Sequence, residues 1–151
     1  MIELVATIII TASSALLFGY WFRYTCLLIL SAKTSRDYAG EFAAANQLSF
    51  PEIQSVLRGD GARNLDLLHG ALNRDYAVVT YLMSHVDQAT GTASIETRML
   101  AINYKLMGAW YSVSKSFSVT AAQRALDEMA MVVAHFANTI GERSMGAAAT
   151  A

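Results

Sequence analysis

The chain has 151 residues, of which 54% are hydrophobic and 15% are charged. Globular domains usually carry about 25% charged residues, so part of this apolar excess lies outside an ordinary core. The formal net charge is −1, and neither sign dominates a long stretch. This balance excludes an electrostatic surface for nucleic acid, and a single cysteine excludes an internal disulfide.

An uncharged apolar segment lies near the start of the chain. Residues 4–22 read LVATIIITASSALLFGYWF. As a helix at ~1.5 Å per residue this segment spans about 28 Å, close to the roughly 30 Å hydrocarbon thickness of a bilayer. Tyr20, Trp21 and Phe22 stand where an aromatic belt forms, and Arg23 follows where it reaches the headgroups. The pattern predicts a single transmembrane helix with these four residues as interface anchors.

Two other interpretations of the segment are open. A secretory signal has Lys or Arg before a shorter apolar run and a small-x-small cleavage site after it, whereas residues 1–3 are MIE. A core helix of a soluble protein has a polar face, and this segment offers none. We therefore expect an anchor. Arg23, Lys33 and Arg36 all follow it, so the positive-inside rule places the amino end outside and the remainder in the cytoplasm of a cell-membrane protein.

Small residues recur along the predicted span. Such spacing lets a second helix approach closely, and hydroxyl groups can hydrogen-bond across the contact. Small residues are also common in spans for no particular reason. Our hypothesis is that the stripe packs against a membrane-protein partner or a second copy of the chain, while the rest of the span contacts lipid. The stripe consists of Thr7, Thr11, Ser14, Ala15 and Gly19.

Beyond residue 33 the apolar residues follow helical steps of three and four, without the alternation of strands. A short helix is predicted after Ser49, which has capping-box spacing to Glu52. Three long helices follow, one from Leu65, one after Ser94 and one after Thr120, which is paired with Gln123 as a second capping box. The inward face of the middle long helix is predicted to be Ile95, Met99, Ile102, Leu106, Trp110, Val113 and Phe117.

These patterns predict an all-α fold with a single transmembrane helix followed by a small antiparallel bundle of three long helices and one short one. The expected organisation is an anchor with a juxtamembrane extension over residues 1–33, a bundle over 34–143 and a disordered tail over 144–151. Residues 24–46 are compatible with a helix that lies on the membrane or projects from it.

The chain offers few candidates for chemistry. Asp66 and His69 are one helical turn apart and could shuttle a proton or bind a metal, although metal-binding bundles use more ligands. His85 and His135 flank apolar positions where a haem ligand could lie. A histidine at the edge of a helical stripe is more often simply half exposed, and haem proteins also need a shaped pocket. We therefore expect no catalytic residues, no metal and no cofactor, with His69, His85 and His135 as the weak binding candidates.

The functional hypothesis is a membrane-anchored accessory or scaffold subunit of a membrane-associated assembly, not an enzyme. It follows from the anchor, the small-residue stripe and the failure of nucleophile, base and orienter to assemble. The alternative is a membrane-tethered sensor, or a bundle that binds a small ligand or haem.

Overall fold

A computed structural model describes residues 1–32, 34, 36–59, 64–91 and 94–149. Within these residues the chain is helical and contains no strand, which confirms the all-α prediction. The chain divides into two compact units, Met1–Lys33 and Thr34–Ala151. The helices are α1 (Ile2–Ser31), α2 (Ala39–Asn46), α3 (Phe50–Arg58), α4 (Leu65–Thr90), α5 (Ile95–Ser114) and α6 (Val119–Ala149).

The first unit consists of α1, which is long and apolar enough to cross a membrane. Its most apolar stretch of 18 residues has a mean hydropathy of 1.9 and no buried residue. The 30 residues of α1 extend over about 45 Å, so the helix is longer than the roughly 30 Å hydrocarbon layer. The interpretation of residues 24–46 as one helix is wrong. The backbone of Ala32 is extended, and a new helix starts at Ala39. The N–H of Ala39 donates a hydrogen bond to the Asp37 carboxylate at 2.9 Å.

The second unit is built around α6, which packs against α2, α3, α4 and α5. Small residues on several turns of α6 let its neighbours approach closely, and larger ones fill the spaces between them. Contacts from Asn103 to Glu128 and from Glu96 to His135 show that α5 runs antiparallel to α6. The buried residues of α6 include Ala122, Ala125, Leu126, Met129, Ala130, Val133, Phe136, Ala137 and Ile140.

The predicted inward face of α5 is wrong. The buried face of this helix contains polar and aromatic residues, because tyrosine and asparagine side chains find hydrogen-bond partners on α4 and α6. The more apolar face is turned to solvent. The buried residues are Leu100, Asn103, Tyr104, Met107, Tyr111 and Ser114. The exposed ones, which we call the outer stripe of α5, are Ile95, Ile102, Leu106, Trp110 and Val113 in the helix and Phe117 in the turn that follows it.

Of the N-cap residues predicted from the sequence, one caps its helix and two do not. Ser94 caps α5 as predicted, since its Oγ accepts the N–H of Glu96 at 3.2 Å. Ser49 precedes α3, but its side chain makes no cap bond and its Oγ instead accepts from Arg74. The start of α6 is two residues earlier than predicted, because Ser118 rather than Thr120 supplies the cap, with its Oγ accepting the N–H of Ala121.

The end of α6 also differs from the prediction. The helix continues through Gly141 to Ala149, so residues 144–149 are helical where a disordered tail was expected. Alanine has the highest helix propensity of all residues, which favours extension of an established helix through Ala147–Ala149. Gly141 is buried because it faces Tyr38 at the start of α2.

Candidate functional site

Polar side chains fill a seam between α4 and α5. Both helices pack on α6, yet no described Cα of α4 lies within 8 Å of a Cα of α5. Long side chains therefore bridge the space between the two helices. The α4–α5 seam consists of Asp66, His69, Asn73 and Tyr76 from α4, Tyr104 and Tyr111 from α5, and Lys115, which directly follows α5.

One end of the seam is organised by the Asp66 carboxylate. Its Oδ1 accepts a hydrogen bond from the Tyr111 hydroxyl at 2.7 Å and another from Lys115 Nζ at 2.9 Å. The phenol ring of Tyr111 is buried, whereas Asp66 and Lys115 are open to water. The charge-assisted bonds from Tyr111 and Lys115 to this carboxylate connect the beginning of α4 to the end of α5.

His69 lies against Tyr111, with ring centroids 4.6 Å apart. Its Nε2 is 3.3 Å from Nδ2 of Asn73, one turn along α4. The predicted Asp66–His69 pair is not formed as a hydrogen bond, because Asp66 is held by Tyr111 and Lys115 from the other helix. The neutral imidazole that accepts from Asn73 is part of the bridge between the helices.

The other end of the seam contains stacked tyrosines. Tyr104 and Tyr76 have ring centroids 3.8 Å apart and are inclined by only 5°. The Tyr104 hydroxyl donates to Oδ1 of Asn73 at 2.9 Å, so Asn73 bonds to both His69 and Tyr104. A continuous polar and aromatic path therefore connects Asp66 to Tyr76.

The surroundings of the seam residues shift several of their pKa values. Burial, together with the hydrogen bond to Asp66, raises the pKa of Tyr111 to about 12. Burial also raises the pKa values of Tyr76 and Tyr104 above the usual tyrosine range. The hydrogen bonds from Tyr111 and Lys115 lower the pKa of Asp66, and burial lowers that of His69. At neutral pH the three tyrosines are therefore protonated, Asp66 is ionised and His69 is neutral. These protonation states suit a fixed hydrogen-bond network.

A buried carboxylate, that of Asp75, adjoins the seam. The spacing of apolar residues in the sequence did not predict its burial. Asp75 on α4 is fully buried, and its Oδ2 accepts the backbone N–H of Ser49 at 2.6 Å. Its Oδ1 lies 3.8 Å from Nε of Arg74, and Arg74 also donates to the Ser49 hydroxyl. Asp75 thus attaches the start of α3 to the middle of α4, which replaces the predicted capping box.

The other two histidine candidates lie apart from the seam and from each other. His85 is exposed on α4, where its Nδ1 donates to the carbonyl oxygen of Tyr81 at 2.9 Å. His135 on α6 is 3.1 Å from the carboxylate of Glu96 and stabilises the contact with the start of α5. Among the described residues no three His, Cys, Asp or Glu side chains are placed to hold a metal ion.

The predicted membrane residues all lie on α1 and are exposed or half-buried. Among the small residues, Thr7 donates its hydroxyl to the carbonyl oxygen of Glu3 at 2.8 Å, a bond within its own helix. At the predicted interface the rings of Trp21 and Tyr24 meet edge to face at 6.1 Å. Tyr20 and Tyr24 stack at 6.3 Å, so Tyr24 extends the aromatic group that the sequence predicted.

The chain was compared with protein-family models, with curated proteins and with solved structures, and none of the three comparisons gives a match.

Proposed function

We propose that the protein is a single-pass membrane protein whose helical bundle acts as an accessory or scaffold subunit of a membrane-associated assembly. The observation that carries this proposal is α1, a helix of 30 residues whose most apolar 18 residues are entirely exposed. A hydrophobic helix of that length without a polar face requires an apolar environment. In this proposal the amino end is outside the cell membrane and the bundle is cytoplasmic, in agreement with the cations that follow the span.

The character of the bundle supports a non-catalytic role. The polar groups that carry chemistry in other proteins here connect one helix to another, as Asp66 does with Tyr111 and Asn73 with Tyr104. Each of the three histidines contacts a protein group through a ring nitrogen. No observation among the described residues favours the alternative of a haem-binding or ligand-binding bundle over a scaffold.

The test is to extract the full chain in mild detergent through a carboxyl-terminal tag and to determine the mass and composition of the native particle. We expect other membrane subunits in a fixed ratio. Recovery of the chain as a monomer without partners would overturn the scaffold role.

A matched pair of substitutions tests the small-residue stripe. Ala15 and Ala6 are nine residues apart, so at about 100° per residue they lie on opposite sides of α1. Ala15→Leu enlarges the stripe and should release the partner subunits, because close helix approach needs small side chains. Ala6→Leu makes the same chemical change on the other face and should leave the particle intact. Equal particles from both variants would refute a contact through the stripe.

A further inference from the structure

The outer stripe of α5 is an apolar surface without a covering element in the described structure. Its six members, Ile95, Ile102, Leu106, Trp110, Val113 and Phe117, are between 45% and 77% exposed. At roughly 150–250 Å² for a large side chain, they leave on the order of 600 Å² of apolar surface in water. That area is at the upper end of the patches found on monomers, and it approaches the ~800 Å² that each partner contributes to a standard interface.

The stripe has a strict repeat. Within α5, Ile95 and Leu106 are eleven residues apart, and Ile102 and Val113 repeat the same interval. Eleven residues in three turns correspond to 3.67 residues per turn, close to the 3.6 of a straight helix. Within α5 the stripe therefore runs along the helix axis for about 27 Å, from Ile95 to Val113, and stays narrow. A surface that is long, straight and one helix wide fits another helix of the same period.

The two sides of the stripe carry opposite charges. On a helical wheel the cations Arg98 and Lys105 lie about 60–80° to one side of Ile95, and Glu96 lies about 100° to the other. Glu128 of α6 is on the acidic side as well, because it accepts a hydrogen bond from the neighbouring Asn103 at 2.7 Å. The acidic side faces the α5–α6 contact, and the basic side is exposed.

We infer that the outer stripe binds the outer stripe of a second copy of this chain, with the two α5 helices parallel and in register. A two-fold axis parallel to the helices brings the basic side of one α5 to the acidic side of the other. Arg98 then faces Glu96 of the second copy, and Lys105 faces Glu128. A two-fold axis perpendicular to the helices would instead oppose like charges, which is unfavourable at close range. This inference concerns the bundle alone and does not depend on α1 crossing a bilayer.

The experiment is oxidative cross-linking of the full chain in mild detergent, in a background where Cys26→Ser removes the native thiol. In a parallel, in-register pair, each residue of the stripe lies opposite its own copy. Ile102→Cys and Val113→Cys should therefore both give a disulfide-linked dimer. Ser112→Cys is the matched control, because Ser112 is exposed on the same turn but about 100° away from Val113, and it should remain a monomer.

Two further variants sharpen the test. Leu106→Arg places a charge at the centre of the contact and should abolish cross-linking through Val113→Cys, with unchanged helix content by circular dichroism. Arg98→Glu removes the charge complementarity and should lower the yield of the dimer that is cross-linked through Val113→Cys. Cross-linking that is absent, or equal at Val113→Cys and Ser112→Cys, overturns the inference. So does cross-linking at Leu106→Cys alone, which would indicate an antiparallel pair.

A membrane surface is the competing occupant of the stripe, and it gives a different result. In a Trp21→Phe background Trp110 is the only tryptophan. Quenching of its fluorescence by brominated lipids in vesicles, without a cross-linked dimer, would show that lipid covers the stripe and would overturn the inference. Protection of Trp110 from that quenching together with the two expected cross-links supports it.

Discussion

The contact between Gly141 and Tyr38 permits a stability prediction with an internal control. A Cβ added to Gly141 would lie 2.6 Å from Cβ and 3.2 Å from Cγ of Tyr38. Non-bonded carbon atoms prefer about 3.5–4.0 Å, so the two segments must separate by about 1 Å. The Tyr38 Cβ is attached directly to the backbone, so side-chain rotation alone provides no relief. The separation would also stretch the bond from the Tyr38 N–H to Oδ1 of Asn138, now 2.7 Å long.

The expected magnitude is a balance of three terms. Overpacking in a core costs about 1–3 kcal/mol, and loss of a hydrogen bond costs about 0.5–1.5 kcal/mol. Replacing glycine by alanine inside a helix returns about 1 kcal/mol. Gly141→Ala should therefore lower the free energy of unfolding by about 1–3 kcal/mol. Gly70→Ala is the control, because Gly70 lies in α4 with no atom within 4 Å of its added Cβ, and it should raise stability by about 0.5–1 kcal/mol.

The assay is urea unfolding of the full chain in mild detergent, followed by circular dichroism. With a slope of roughly 1–3 kcal/mol per molar urea, a loss of about 2 kcal/mol lowers the midpoint by about 1 M. The two variants should move the midpoint in opposite directions. A Gly141→Ala midpoint equal to or above that of Gly70→Ala would refute the close approach of α2 and α6.

Three further outcomes follow from the polar contacts. Asp75→Ala leaves the part-buried N–H of Ser49 without its acceptor and should cost about 1 kcal/mol in the same assay, whereas Asp75→Asn keeps an acceptor and should cost less. Tyr111→Phe removes the main cause of the lowered Asp66 pKa, so the carboxyl signal in NMR should titrate closer to its ordinary value of 3.8, and an unchanged titration would argue against the bond. Since burial lowers the pKa of His69, the folded state binds this proton less readily than the unfolded state, and stability falls as pH drops through the ordinary value of 6.5. The urea midpoint should therefore be lower at about pH 5.5 than at about pH 7.5. His69→Gln should make this difference between the two midpoints smaller, because the variant lacks the titrating imidazole.

The sequence was most informative where one residue type has one physical role. The long run without charge predicted α1 as a helix of membrane-spanning length, and Ser94 predicted the start of α5. The apolar residues of α6, including Leu126 and Phe136, are buried because neighbouring helices cover α6 on several sides.

The α5 helix shows why hydrophobicity alone misassigns a face. Its sequence has two possible inward faces, and the apolar one, with Leu106 and Val113, was predicted. The fold instead buries Tyr104 and Tyr111, whose rings supply apolar area while their hydroxyls bond to α4. Which face is buried depends on acceptors more than 30 residues away in the chain, and no local pattern reports them.

The seam was only partly predictable for the same reason. Asp66 and His69 were selected because they are one turn apart, but the partners of Asp66 come from α5. Asp75 was missed because a charge at the edge of a helical stripe is normally solvated. Its burial depends on the N–H of Ser49, which is brought to it by the turn before α3.

The central claim is that α1 holds the intact chain in a membrane. The most direct measurement is the intact mass of the protein in membranes that have been washed with alkaline carbonate. The account predicts that the chain in the membrane pellet has a mass that includes α1. Recovery of the chain in the supernatant, or a membrane-free form shortened by removal of α1, would contradict the claim.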